Sequence, residues 1–248
     1  MVSCLLRWEG AIWDKGLDLL FPRICPLCGK PSNRPHRLVC WSCVSKLPVI
    51  PADQPHCVQC GKVPEGVIDR DFLCDDCRMQ RPAFDMARFA APFRFEIREL
   101  IHAFKYRNAI WLREDLTDLL EGCVRAHYDV DAIDWVIPVP LHPLKYIKRT
   151  YNQADYLAGS LARRTGRLWS NKLVRRARRT PTQTHLGASA RRKNVQGAFE
   201  VVHPELVHGR TILLVDDVMT TGSTLSAIAY VLKDAGAWRV WTATVARG

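Results

Sequence analysis

The 248-residue sequence lacks any run of the roughly 20 uninterrupted apolar residues that a membrane-spanning helix needs, because charged side chains recur every few positions. No bilayer span is expected. The first twenty residues mix Arg7, Glu9, Asp14, Lys15 and Asp18 with apolar ones, so the basic start and continuous apolar stretch of a secretory signal are missing too. The expected location is the cytoplasm. Leu5, Trp8, Ile12 and Leu20 fall near helical spacing and predict an amphipathic helix over 1–20, packed on the protein body or lying on a membrane surface. No Gly-x-x-x-x-Gly-Lys loop precedes a helix, which excludes a Walker-type nucleotide site. Acidic residues are scarce in one place: Lys145 to Lys193 holds fourteen basic side chains and one acid, Asp155, against a net charge of +11 for the whole chain. Residues 1–80, with ten basic and nine acidic residues, are nearly neutral. Dense charge of one sign repels itself, so this segment is either a solvated face or the place where an anionic partner binds.

Cysteine, by contrast, is plentiful and patterned. Eight of the ten cysteines form four C-x-x-C pairs, Cys25/Cys28, Cys40/Cys43, Cys57/Cys60 and Cys74/Cys77, leaving Cys4 and Cys123 outside. Each pair presents two thiolates on one side of a tight knuckle, and two knuckles close a tetrahedron around zinc. Two Zn2+ sites are expected in a double zinc ribbon over 21–80. The 11, 13 and 13 residues between pairs are long enough for short hairpins, and Gly29 and Gly61 follow the first and third pairs. That alternation favours sequential pairing, with Cys25, Cys28, Cys40 and Cys43 on one metal and Cys57, Cys60, Cys74 and Cys77 on the other. Spacing leaves interleaved pairing open. Disulfides would need an oxidising compartment, for which the sequence gives no sign. Four thiolates leave no open coordination position, so each metal is structural.

From Pro82 onward strand and helix patterns alternate, which predicts one parallel-sheet α/β domain over 81–248. Strands are expected at Ala87–Phe95, Trp135–Val139, Phe199–Val202, Thr211–Val215 and Val240–Val245. Helices are expected at Glu96–Tyr106, Leu112–Ala126, Ala154–Thr165 and Ser223–Asp234. Residues 175–195 are basic, polar and without periodicity, as in a long surface loop.

The most informative segment is Thr211-Ile-Leu-Leu-Val-Asp216-Asp217-Val-Met-Thr220-Thr221-Gly222-Ser223-Thr224. Its apolar run predicts a buried strand ending in two carboxylates at the carboxyl edge of the sheet, where open α/β sheets bind ligands. Small residues then open a helix. The free amides at that helix start, the hydroxyls of Thr220, Thr221, Ser223 and Thr224, and the close approach allowed by Gly222 suit a monophosphate. Asp216 and Asp217 can accept hydrogen bonds from vicinal sugar hydroxyls. Ordinary Ser/Thr capping of a helix explains the loop but not the adjacent acids, which repel each other unless something occupies them.

These residues resemble the signature by which type I phosphoribosyltransferases bind phosphoribosyl pyrophosphate. Pro138-Val-Pro-Leu-His142-Pro, Lys148-Arg149-Thr-Tyr151-Asn152-Gln153-Ala, Thr182-Gln183 and Arg191-Arg192-Lys193-Asn194-Val-Gln-Gly197-Ala-Phe199, behind a double zinc ribbon, resemble the ComF family. The resemblance implies a phosphoribosyltransferase-like domain in which Asp216 and Asp217 hold the ribose and Thr220 to Thr224 hold the 5-phosphate. It places Arg149 and Asn152 against the pyrophosphate, with Mg2+ bridging it, and makes 175–193 a loop that folds over the site. Thr150 departs from the commoner glycine or arginine of the family pattern. Lys105-Tyr106 resembles the family's lysine-tyrosine element, or is a helix end whose lysine favours the dipole. His102, His142 and His185 receive no catalytic role.

Three functions are then open: a transferase acting on an unidentified nucleophile, a non-enzymatic protein that binds single-stranded DNA during competence, and a regulator that senses phosphoribosyl pyrophosphate. The basic segment, with Tyr146 and Tyr151 among its cations, suits DNA by phosphate contact and base stacking.

Overall fold

The computed structural model describes residues 22–64, 66, 68–107, 109–141, 151–177 and 197–248. The helix expected over 1–20, Arg149, and most of the basic stretch up to residue 196 lie outside the described residues. The chain divides into two compact units, Met1–Leu47 and Pro48–Gly248. The dividing point falls inside the segment expected to form the two ribbons.

The larger unit holds seven strands among the described residues: β1 at Met86–Pro92, β2 at Trp135–Pro138, β3 at Leu168–Trp169, β4 at Val174–Arg176, β5 at Phe199–Val201, β6 at Thr211–Met219 and β7 at Arg239–Arg247. Five of them form a parallel sheet in the order β1-β7-β6-β2-β3. Four amphipathic helices cover the sheet: α1 at Phe95–Tyr106, α2 at Arg113–His127, α3 at Gln153–Thr165 and α4 at Ser223–Asp234. Each buries residues three and four apart, such as Ile97, Leu100, Ile101 and Phe104 on α1 or Leu225, Ile228, Ala229 and Leu232 on α4. The central strands are buried on both faces, β6 through the apolar run Ile212 to Val215 and β7 from Val240 to Ala246 with Thr242 and Thr244 among its buried residues.

Three expectations are corrected. The first strand stops at Pro92, and Phe95, expected to end it, opens α1. Strand β6 does not stop at Val215 but runs to Met219, because β7 extends to Arg247 and pairs with it along its whole length. Strand β5 lies outside the main sheet, where it pairs antiparallel with β4 at the start of the expected loop. Among the described residues no helix is long and apolar enough to cross a membrane.

The second ribbon shares its core with this sheet. Cys57, Cys60, Cys74 and Cys77 belong to one buried apolar cluster with Phe84, Phe89, Leu214, Met219 and Leu225. Backbone bonds continue the seam, from Ala87 N to Gln59 O at 2.8 Å and from Ile50 N to Ala90 O at 2.9 Å.

Candidate functional site

The cysteines gather sequentially. The sulfurs of Cys25, Cys28, Cys40 and Cys43 lie within 4.8 Å of one another, and so do those of Cys57, Cys60, Cys74 and Cys77. Zinc–sulfur bonds of about 2.3 Å put tetrahedral sulfurs about 3.8 Å apart. The Cys28–Cys40 and Cys60–Cys74 sulfur separations are 3.7 and 3.6 Å. Both clusters therefore fit Zn2+, and neither leaves a position for substrate.

At the carboxyl edge of the sheet, β2 pairs with β6 only as far as Pro138 opposite Val215, and Val139 N adds a last bond to Val215 O at 2.9 Å. Beyond that point Asp216 and Asp217 remain laddered to β7 on one side while the β2 side opens. Successive strand residues face opposite ways. Asp216 lines a small cavity of about 40 Å³ together with Val218 and Thr220 to Thr224. Asp217 points to the other face, where it is 7% exposed and its Oδ1 accepts from Lys105 Nζ at 2.7 Å. Sequence reasoning saw Lys105 as a family element or a dipole-favouring helix end; the structure makes it the counter-ion of Asp217.

The loop that follows holds the residues on which the phosphate expectation rests. Gly222, the residue before α4, has φ +73°, a conformation L side chains rarely adopt, and it turns the chain so that the first amides of the 12-residue helix are presented together. The Thr221 and Ser223 hydroxyls lie 2.8 Å apart, and Thr220 and Thr221 are exposed. The N-cap Gly222 has no side chain to offer, and the Thr221 hydroxyl accepts from Ser223 N at 3.4 Å.

Asn152 is the N-cap of α3: its Oδ1 accepts from Ala154 N at 3.2 Å and its Nδ2 donates to Val139 O at 3.1 Å. Its amide thereby ties the turn after β2 to the start of the helix. Tyr151, beside it, is buried and donates to the Phe104 carbonyl, which fixes the end of α1 against the start of α3.

An open cleft of about 1990 Å³ extends from this loop along the second ribbon, lined by Lys62, Phe84, Phe93, Arg94, Phe199 and Thr221 among others. Arg247, paired with Met219 just before the loop, donates to the carbonyl of Cys60 in the cysteine knuckle. Ser226 Oγ of α4 accepts from Ala83 N at 3.0 Å. No sequence motif marks Arg247 or Ser226; their roles exist only once the chain has folded.

Comparison with known proteins agrees with both halves. Residues 16–79 match the double zinc ribbon domain and residues 157–248 the phosphoribosyl transferase domain. The chain is 34% identical over 186 residues to Competence protein F of Haemophilus influenzae, covering 73% of this chain and 80% of that one. It is 32% identical over 228 residues to DNA utilization protein YhgH of Escherichia coli K12, covering 90% and 97%. It is 26% identical over 213 residues to Competence protein ComFC of Bacillus subtilis, covering 82% and 81%. With two relatives matched this well over most of their length, and with a double zinc ribbon ahead of a phosphoribosyltransferase-like domain, the chain belongs to the ComF family.

Proposed function

We propose that this protein binds phosphoribosyl pyrophosphate together with Mg2+ at the carboxyl edge of β2 and β6, and that it serves DNA uptake or utilization, as the names of its relatives suggest. One observation carries the reading. The β2 ladder ends at Val215, so the two carboxylates of β6 stand past the point where the sheet edge opens, and two residues later a hydroxyl-rich loop begins α4. The Asp216 carboxylate, which shares a cavity with the loop, can accept from ribose hydroxyls while helix amides hold the 5-phosphate; Asp217, on the other face, meets Lys105. Magnesium takes oxygen ligands and commonly arrives with substrate phosphates, where it would neutralise the pyrophosphate; the carboxylate and hydroxyl oxygens here are of the right kind beside it. Asn152, which ties Val139 just past β2 to the start of α3, and Arg149 are the residues that the family resemblance assigns to the pyrophosphate.

Calorimetry with phosphoribosyl pyrophosphate and Mg2+ tests this, using Asp216→Asn/Asp217→Asn as control. Micromolar binding that the double variant loses is the expected result; absence of binding by the wild-type protein sinks it. Release of pyrophosphate on adding candidate nucleophiles would then separate a transferase from a sensor.

The long cleft favours single-stranded DNA as a second ligand. Half-buried Phe93 and exposed Tyr230 line it together with Lys62, Arg81, Arg94 and Arg247, the combination that takes stacked bases and backbone phosphates. Fluorescence anisotropy with a labelled oligonucleotide should show binding that weakens steeply with salt. Binding insensitive to both salt and Arg94→Ala would rule the cleft out.

A further inference from the structure

We infer that Lys105 is a ligand-contacting cation of the sugar-phosphate site, meeting the pyrophosphate end of the ligand. The inference rests on the donor-site reading above and adds a residue that lies outside both the basic segment and the phosphate loop.

The placement is unusual for a structural lysine. Lys105 lies in the last turn of α1, where a lysine ordinarily stays in solvent near the carbonyl end of its helix. Here its side chain is 15% exposed, and its ammonium sits 2.7 Å from the carboxylate of Asp217, itself in the open end of β6. Withdrawing both charges from water is costly, and an apolar pair of equal volume often serves stability as well or better. The retained ion pair is therefore better explained by a ligand than by folding alone.

Three further features direct the ammonium toward the pyrophosphate. An ammonium carries three donors, and the bond to Asp217 occupies one of them. The preceding residue is locked, because Phe104 is fully buried and its carbonyl accepts from Tyr151, next to the Asn152 cap of α3. Lys105 is thus held where the end of β6 meets the start of α3. Asn152 there bonds Val139, just past the end of β2, and the junction lies on the side of the sheet opposite the cavity lined by Asp216 and the Thr220–Thr224 loop. A single extended ligand with its phosphate in the loop and its ribose on Asp216 would cross the open sheet edge and bring its anionic far end to this cation.

The test separates contact from mere charge balance. Asp217→Asn is compared with Asp217→Asn/Lys105→Met by calorimetry with Mg2+, using phosphoribosyl pyrophosphate, inorganic pyrophosphate and ribose 5-phosphate as probes. In the Asp217→Asn background no carboxylate needs Lys105, so a lysine that only balances charge becomes dispensable. A contact predicts a further loss of about tenfold or more for the two pyrophosphate-bearing probes and little change for ribose 5-phosphate. No further loss, or equal loss for all three probes, overturns the assignment while leaving the donor site standing. Failure of the wild-type protein to bind any probe removes the donor site and Lys105 together. Lys105→Arg keeps the charge and covers the case in which the double variant does not fold. A contact predicts that this variant changes its affinity for the two pyrophosphate-bearing probes more than for ribose 5-phosphate, and equal weakening of all three in a folded Lys105→Arg protein overturns the assignment.

Discussion

The two four-cysteine clusters use the same ligands and open with the same C-x-x-C-G knuckle, yet they are embedded differently. In the first, Cys28 is exposed and Cys43 partly so; in the second, all four cysteines are buried. The first is surrounded by local contacts, such as Arg34 Nη1 donating to Val39 O at 3.2 Å and lying 5.1 Å over the Trp41 ring. The second is part of the core that includes Leu214 and Met219 of β6 and Leu225 of α4. Identical coordination chemistry therefore stabilises a small local fold in one case and the walls of the candidate ligand site in the other. What a structural metal supports depends on what its knuckles pack against.

The sharpest way to break this comparison is to remove one ligand from each cluster. Cys77→Ser should destabilise the unit Pro48–Gly248 by more than about 4 kcal/mol, since a structural zinc site supplies folding energy directly. Cys43→Ser should leave the thermal unfolding of that unit within about 1 kcal/mol of wild type. Equal losses in the two variants, followed by calorimetry and zinc content, would end the distinction.

A smaller difference is expected at the matching glycines, which have nearly the same backbone, φ +70° at Gly29 and +73° at Gly61. A Cβ at Gly61 would stand 2.6 Å from the Ala87 carbonyl oxygen, whereas at Gly29 it would meet nothing within 4 Å. Gly61→Ala should cost about 3 kcal/mol, conformational strain plus a backbone clash, and Gly29→Ala about 1 kcal/mol, strain alone. Denaturant midpoints at unchanged slope would measure both. Comparable costs would mean that the seam between the second knuckle and β1 gives way easily.

The gentlest probe is chemical. Limited alkylation of the zinc-loaded native protein, read by mass spectrometry, should mark Cys28 first among the described cysteines because it is exposed. Cysteines 57, 60, 74 and 77 should react only on global unfolding. Cys123 should stay unmodified as well, since burial pushes its thiol up to about 12. Early labelling at Cys60 or Cys77 would show that the second cluster opens locally.

Much of this was legible in the sequence. The metal clusters followed from C-x-x-C spacing, the covering helices from buried residues three and four apart, and the β6-loop-α4 unit from an apolar run followed by small hydroxylated residues. Two things were not. Asp216 and Asp217 read as neighbours at a strand end, sharing one role; the strand in fact continues through Val218 and Met219, and its alternation sends them to opposite faces. The apolar pair after the acids was the available signal, and it became persuasive only with β7 extended to Arg247 beside it. The merging of the second ribbon with the sheet was also hidden, because both ribbons present the same motif. The packing that distinguishes them comes from Phe84 and Phe89, which follow the last knuckle, and from Arg247, which is distant in the chain; none of them carries a motif.

The bond from Arg247 to the Cys60 carbonyl has a thermodynamic corollary. Arg247 stands opposite Met219, whose neighbour Thr220 begins the loop proposed to hold phosphate, so a metal knuckle and that candidate loop share one residue pair as a common support. If metal occupancy favours the loop's binding conformation by some factor, linkage requires that a bound sugar phosphate tighten the hold on that metal by the same factor. Slower loss of zinc to a chelator from the second cluster, but not the first, would then report ligand binding without any turnover.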